Sequence, residues 1–317
     1  MASAPPLELD AQYRQLREEA GLLLREDRGL IAVTGADAAE YLQGQLTNDV
    51  EALAVGEGQY AALLDRKGHI QADMRVLRPA AEEILVETEA TALPVALKHL
   101  TMYSIGRDVA VAEVTAERAI LSLAGPRSAE LAGVPPLPED ACEAVAVGGT
   151  EALAVGTREG LDLICAAAGG ERLAAALGEA GAIEVSPQAL ELLRIEAGVP
   201  RFGAEMGTET MPAEAGIVER AVSFTKGCYI GQETVARLHY KGKPNRHLRG
   251  LRLSAAVAPG TQLRLGEKEV GTLGGSAVSP ALGPIGLAIL RREAEPGAEL
   301  SVGEDGVKAV VVDVPFG

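Results

Sequence analysis

The chain has 317 residues, 47% of them hydrophobic, with 29 Lys+Arg against 45 Asp+Glu and a formal net charge of −16. That length exceeds one ordinary core and predicts two or three domains, the acidic balance argues against direct nucleic-acid binding, and no apolar run reaches membrane-spanning length. Three cysteines without CxxC spacing fit a reducing compartment better than a disulfide framework, and residues 5–26 lack the basic-then-apolar order of a secretion signal, so a cytoplasmic protein is expected.

Asp37, with Glu40 three residues on, reads as a helix N-cap with its capping-box partner. The helix would carry Tyr41, Leu42 and Leu46 and end near Thr47. Strands are expected over 60–64 and 70–77, joined by a turn over 65–68, and again over 84–87. A helix over 92–100, strands over 109–114 and 119–123, and a helix begun by Pro126 follow. Pro135, Pro136 and Pro138 mark a connection between subdomains over 133–140. Strands over 144–147, 152–155 and 162–166 and a helix over 171–180 continue the interleaved pattern of α+β layers. Beyond Arg249, short candidates over 251–253, 262–265, 271–278, 285–290, 299–302 and 307–312, punctuated by Gly and Pro, read as a small β-barrel. The expected division is an α+β region over 1–245 and a barrel over 246–317.

Two carboxylates attract notice. Ser186 and Pro187 start a helix that Gly198 and Pro200 stop. Within it Ala189, Leu192, Leu193 and Glu196 recur at i, i+3, i+4 and i+7, so Glu196 shares the apolar stripe. It also sits at the helix C-terminus, where the macrodipole disfavours negative charge by ~0.3–1 kcal/mol. A carboxylate set against both preferences requires a partner, an ion pair with Arg194 or Arg201 or the paired N–H donors of a ligand, unless the helix ends early and leaves Glu196 exposed. Asp73 alternates with Ala72 and Met74; a solvated strand position and a catalytic carboxylate both fit it.

The run Lys226-Gly227-Cys228-Tyr229-Ile230-Gly231-Gln232-Glu233 sets a cysteine between glycines, beside a lysine and ahead of a helix-like stretch. A thiol near a cation and a helix N-terminus ionises more readily than a free one, whereas a free Cys elsewhere is usually a small core hydrophobe, the reading favoured for Cys142 and Cys165. From Thr234 to Gly266 there is no acid but seven Lys or Arg, a solvated face or a seat for an anionic ligand. No phosphate loop, Rossmann fingerprint or metal-ligand spacing is present.

This octapeptide resembles the signature of the YgfZ family of folate-binding proteins, relatives of the GcvT aminomethyltransferase of the glycine cleavage system. The segments 33–37, 41–50, 64–68, 194–200, 212–214 and 235–237 are similar to that family in the expected order. The resemblance implies two ferredoxin-like subdomains and a C-terminal β-barrel around a central folate cleft. It implies that Glu196 receives the pterin and that Asp73, matching the last position of a Gly-Gly-Ile-x-Asp-Asp motif, lies near the reacting folate nitrogens. His69 and Ala72 depart from that motif. Arg237 would meet folate carboxylates, Gln232 would bond near the thiol, and Lys226 and Tyr229 would contribute to the folate site. Some relatives carry aromatic residues at positions corresponding to Arg28 and Leu190; with no Trp in the chain, stacking falls to Tyr60, Tyr103 or Tyr229, and weaker folate affinity is expected. The function implied is a tetrahydrofolate-binding accessory protein for iron–sulfur cluster assembly or repair, including clusters of tRNA-modifying enzymes. Its reactive residue would be Cys228 and its partners iron–sulfur client or assembly proteins. An aminomethyltransferase and a non-catalytic interaction protein with a vestigial cleft are the alternatives.

Overall fold

Two opposite-charge pairs face each other across neighbouring strands in the first half of the chain, Arg28 opposite Glu89 and Arg75 opposite Glu87. The computed structural model describes residues 8–316; residues 5–7 of the acidic N-terminal stretch lie outside them. The chain divides into two compact units. The first comprises Met1–Leu63, Ala72–Ala189 and Thr225–Tyr229; the second comprises Leu64–Gln71, Leu190–Phe224 and Ile230–Gly317. The fold is α+β, with two sheets and their helices followed by a curled C-terminal sheet.

In chain order the first part contains α1 (Leu9–Glu18), β1 (Gly21–Leu24), β2 (Arg28–Thr34), α2 (Ala38–Gln43), β3 (Gly58–Leu64), β4 (Ile70–Ala80), β5 (Glu83–Glu89), α3 (Leu93–Tyr103), β6 (Ala110–Glu113), β7 (Arg118–Ala124), α4 (Ser128–Ala132), β8 (Cys142–Val147), β9 (Thr150–Gly156), β10 (Gly160–Ala166), α5 (Gly170–Glu179) and β11 (Ile183–Glu184). One sheet has the order β3-β4-β5-β2-β6 and the other β11-β1-β7-β10-β9-β8. The elements α1, β1 and β2 have no counterpart among the sequence expectations. The helix expected to run to Thr47 stops at Gln43, because Leu46 bridges Leu63 and the Thr47 backbone N–H donates to Ala62. Asp37 stands at the N-cap position, but its side chain makes no capping bond; its Oδ2 accepts the backbone N–H of Asp108 at 2.9 Å instead.

The two sheets of the first unit face each other through a layer that changes character along its length. At one end Leu30, Leu77 and Leu85 pack on Ile120, Val155 and Ile164. At the other end the same strand faces carry ions. Arg28 Nε meets Glu87 at 2.7 Å, Arg75 Nε meets the other oxygen of Glu87 at 2.8 Å, and Arg75 also bridges to Asp162 on the second sheet. Asp162 in turn accepts the Ser122 hydroxyl. Burial alone would raise the Glu87 pKa; the Arg75 and Arg28 guanidinia overcome that and hold it well below the usual carboxylate range. Arg28 also pairs with Glu89 and so is the hub of a buried ion network.

The remaining elements are α6 (Pro187–Glu196), α7 (Pro212–Ala215), α8 (Val218–Ala221), α9 (Gln232–Lys241) and β12 (Arg246–Leu253), β13 (Gln262–Leu265), β14 (Lys268–Thr272), β15 (Gly275–Ser279), β16 (Gly283–Arg291), β17 (Glu299–Val302) and β18 (Val307–Val312). The seven strands order as β14-β13-β17-β18-β12-β16-β15. The sheet curls until Gly271 of β14 approaches β16 so closely that a Cβ would lie 2.9 Å from the Ile289 carbonyl; only glycine permits that approach. The single strand expected over 271–278 is broken at Leu273 and Gly274, whose backbone N–H groups turn to Thr261 and Leu287. Inside the curl, Leu251, Leu263, Leu290, Leu300 and Val311 form the core.

Removing one partner from a buried ion network strands the others. Glu87→Gln should lower the unfolding free energy by about 3–5 kcal/mol, measured by urea titration at constant m. A loss below about 1 kcal/mol would mean the network does not join the sheets.

Candidate functional site

In the first unit the octapeptide is held through Lys226. This side chain is 8% exposed, and its Nζ donates to the carbonyls of Gln43, Leu46 and Asn48 at 2.5, 2.6 and 2.9 Å. Gln43 is the last residue of α2, and terminal helix carbonyls lack a partner within the helix. Burial pushes the Lys226 pKa down to about 8, against the pull of Asp49 and Glu51. An ammonium has three N–H donors and three carbonyls meet them here, so Lys226 anchors the loop. Tyr229 lies with its ring centroid 5.1 Å from the same ammonium, a cation–π contact, and burial pushes its phenol up to about 12. Between these two buried side chains Gly227 and Cys228 are exposed. Cys142 and Cys165 are buried, and burial raises both thiols.

Asp73 is buried, at 9% exposure, and Oδ2 accepts the Tyr60 hydroxyl at 2.6 Å. The solvated position that simple alternation allows is not found. Asp73 shares its strand face with Arg75 and Leu77, the face turned to the second sheet of this unit. Burial works against the Arg28 charge, and Glu87, Glu89 and Asp73 together hold it on. Asp73 is thus electrostatically part of the ionic end of the layer.

In the second unit Glu196 is 6% exposed, and its Oε1 accepts the Ser279 hydroxyl. The ion pairs anticipated for it are made by other acids: Arg194 bridges Glu191 at 2.7 Å and Glu205 at 2.8 Å, and Arg201 reaches Glu191 at 3.4 Å. Gln232 begins α9 and is half-buried; Arg237 is exposed on the same helix. Ahead of α9, Gly231 has φ +84°, and a Cβ there would lie 2.6 Å from the Asp65 carbonyl. Gly68 has φ +86° and packs against Thr234. The 65–68 turn and the second half of the octapeptide therefore seat each other through two glycines that no other residue could replace without strain.

The acid-free run divides between paired and exposed cations. Arg246 pairs with Glu214 at 2.8 Å, Arg249 with Asp313 at 3.3 Å, and Arg264 donates to Gln262 at 2.7 Å, while Arg237, Lys241 and Lys243 are exposed. Ser279 and the Arg28–Glu87–Arg75 network went unread in the sequence. The network had a signal: Arg75 and Leu77 on one strand face lie opposite Glu87 and Leu85 on the neighbouring strand, complementary at period two. Ser279, 83 residues from Glu196, had none.

The GCVT N-terminal domain family matches residues 8–226, and the C-terminal β-barrel domain of CAF17 matches residues 246–315. An aminomethyltransferase of Rubrobacter xylanophilus is 30% identical over 97% of this chain and 86% of its own length. One of Bacillus cereus is 30% identical over 98% of this chain and 92% of its own length. The chain belongs to the GCVT aminomethyltransferase family. The crystal structure of the glycine cleavage system aminomethyltransferase T from Bartonella henselae superposes with a TM-score of 0.89 at 23% identity, covering 98% of this chain and 90% of that one, which shows the shared fold. Among the described residues no helix is long and apolar enough to cross a membrane.

Lys226→Met would leave the three carbonyls without their donor and should cost about 1–3 kcal/mol at pH 7. The folded pKa of about 8 lies below the ordinary 10.5, so between those values the unfolded chain binds the extra proton and stability rises with pH. The variant lacks that term, and its deficit relative to wild type should widen from pH 8 to 10.5 by up to about 3 kcal/mol. Paired denaturation curves across that range check it; a constant gap would place the Lys226 pKa at its ordinary value.

Proposed function

We propose that this chain is a tetrahydrofolate-binding accessory protein that uses Cys228 on iron–sulfur client or assembly proteins. The observation carrying the reading is the loop at 226–229, where two buried anchors flank an exposed glycine and an exposed thiol. No heavy atom outside the adjoining residues lies within 4 Å of where a Gly227 Cβ would be, and Cys228 is exposed. A thiol so presented suits reaction with a group carried by another protein. As thiolate it attacks a partner's disulfide, forming a mixed disulfide and releasing the partner's other sulfur as thiolate. The match of residues 246–315 to the CAF17 barrel domain supports the barrel assigned to this end of the chain.

The second unit offers a buried acceptor of the kind a pterin's N–H donors require: Glu196 is a buried carboxylate that already accepts the Ser279 hydroxyl on Oε1. Tetrahydrofolate, when bound, supplies a one-carbon acceptor. On this chain Glu196 would orient the pterin, and Asp73, with its partner Tyr60, would supply fixed negative charge or take up a proton. Arg237 is an exposed cation for the folate carboxylates, and Gln232, Tyr229 and Lys226 complete and hold the surroundings of the thiol loop. We place the protein in the cytoplasm, among reduced folate and iron–sulfur partners. The two assignments of region, 1–245 for folate and 246–317 for the barrel, belong to the same proposal.

A second reading, an aminomethyltransferase, is favoured by the curated relatives of that name and by the buried Asp73–Tyr60 pair. The two readings separate on Cys228→Ala. Under the first, cells carrying the variant lose activity of cluster-dependent enzymes while the purified protein keeps wild-type stability and tetrahydrofolate binding. Unchanged enzyme activity would remove the thiol from the mechanism. Under the second, turnover with tetrahydrofolate and an aminomethyl-lipoyl carrier survives Cys228→Ala and is lost with Asp73→Asn.

A further inference from the structure

The C-terminal sheet supplies the group that fixes Glu196. Ser279 ends β15, is 2% exposed, and its Oγ accepts the backbone N–H groups of Ala281 at 3.1 Å and Leu282 at 2.9 Å. A hydroxyl has two acceptor lone pairs and one donor proton. With both lone pairs facing amides of its own hairpin turn, the proton has one direction left, toward Oε1 of Glu196. The turn is itself fastened to the helix end: Leu282 packs in the cluster of Ile195, Leu248, Ile285 and Leu287 with Val314 and Phe316. The Glu196 carbonyl accepts the Phe316 N–H at 3.4 Å, and a Cβ on Gly198 would lie 2.4 Å from Val314. The backbone bearing the carboxylate and the hydroxyl orienting it are thus both set by the barrel.

We infer that Ser279 is a positioning residue for ligand recognition, locking the rotation of the Glu196 carboxylate so that it presents a fixed acceptor edge to the N–H donors of a pterin ring. This rests on the folate reading above. It adds that recognition of the ring is controlled from the barrel hairpin and acts through Glu196 alone.

The test is calorimetric titration of the full chain with 5-formyltetrahydrofolate and with a tetrahydropterin lacking the benzoylglutamate tail. Wild type, Ser279→Ala, Ser279→Thr, Glu196→Gln and the Ser279→Ala/Glu196→Gln double variant are compared, with melting temperatures recorded for each. A hydroxyl bond to a charged group predicts that Ser279→Ala weakens 5-formyltetrahydrofolate roughly tenfold or more. The tailless pterin should weaken by the same factor, and Ser279→Thr should recover most of the loss. In the Glu196→Gln background Ser279→Ala should cause little further loss, since the two act as one unit. If Ser279→Ala does not fold, Ser279→Cys, with a weaker donor of similar size, carries the same expectations. Wild-type affinity in Ser279→Ala, equal losses in both Glu196 backgrounds, or a loss confined to the tailed ligand would overturn the inference while the folate reading stands. Absence of binding by wild type itself would overturn the folate reading and this inference with it.

Discussion

Ions removed from water must be met by opposite charge or by oriented dipoles, and this requirement decides where the functional segments of the chain are held. Glu87 is met by two guanidinia, Lys226 by three carbonyls, and Glu196 by a hydroxyl whose own orientation is fixed by two amides. Each solution ties together residues far apart in sequence. The first joins two sheets, the second pins the thiol loop to the end of α2, and the third clamps a helix terminus to a barrel hairpin. Hydrophobic packing supplies the bulk of the stability, but it is non-directional. The directional contacts select which side chain faces which element.

The same requirement explains what could be read in the sequence and what could not. Glu196 stands against its own helix pattern, so the need for a partner was legible from spacing. The partner was not, because Arg194 and Arg201 are nearer in sequence, and only the fold shows that Glu191 and Glu205 engage them. Asp73 invited a solvated reading because period-two alternation assumes one wet face. In the first unit that face meets a second sheet, so Ala72, Asp73 and Met74 are all buried in succession. The barrel strands were legible because Gly and Pro bracket them. The break at Leu273 and Gly274 was not, since it arises from backbone bonds to Thr261 and Leu287, which local propensity does not encode. The helix expected to reach Thr47 was cut short for the same kind of reason, a tertiary pairing with β3 overriding propensity.

The sequence segments that carry the family resemblance also turn out to be linked rather than independent. Lys226 of the octapeptide binds carbonyls within the 41–50 segment, and Gly231 of the octapeptide lies on the carbonyl of Asp65 in the 64–68 segment. A change in one of these partners therefore alters the seating of another, and their joint presence in one chain is a single constraint seen several times.

Within that constraint the two glycines flanking the cysteine have different physical causes. Gly231 has a positive φ and a backbone carbonyl where its Cβ would be; packing demands it. Gly227 has no neighbour within 4 Å of that position, and no positive φ marks it, so the folded chain by itself would accept a side chain there. Packing therefore accounts for how the loop is gripped, through Lys226, Tyr229 and Gly231, while Gly227 and the exposed Cys228 are the part of the loop that packing leaves unexplained.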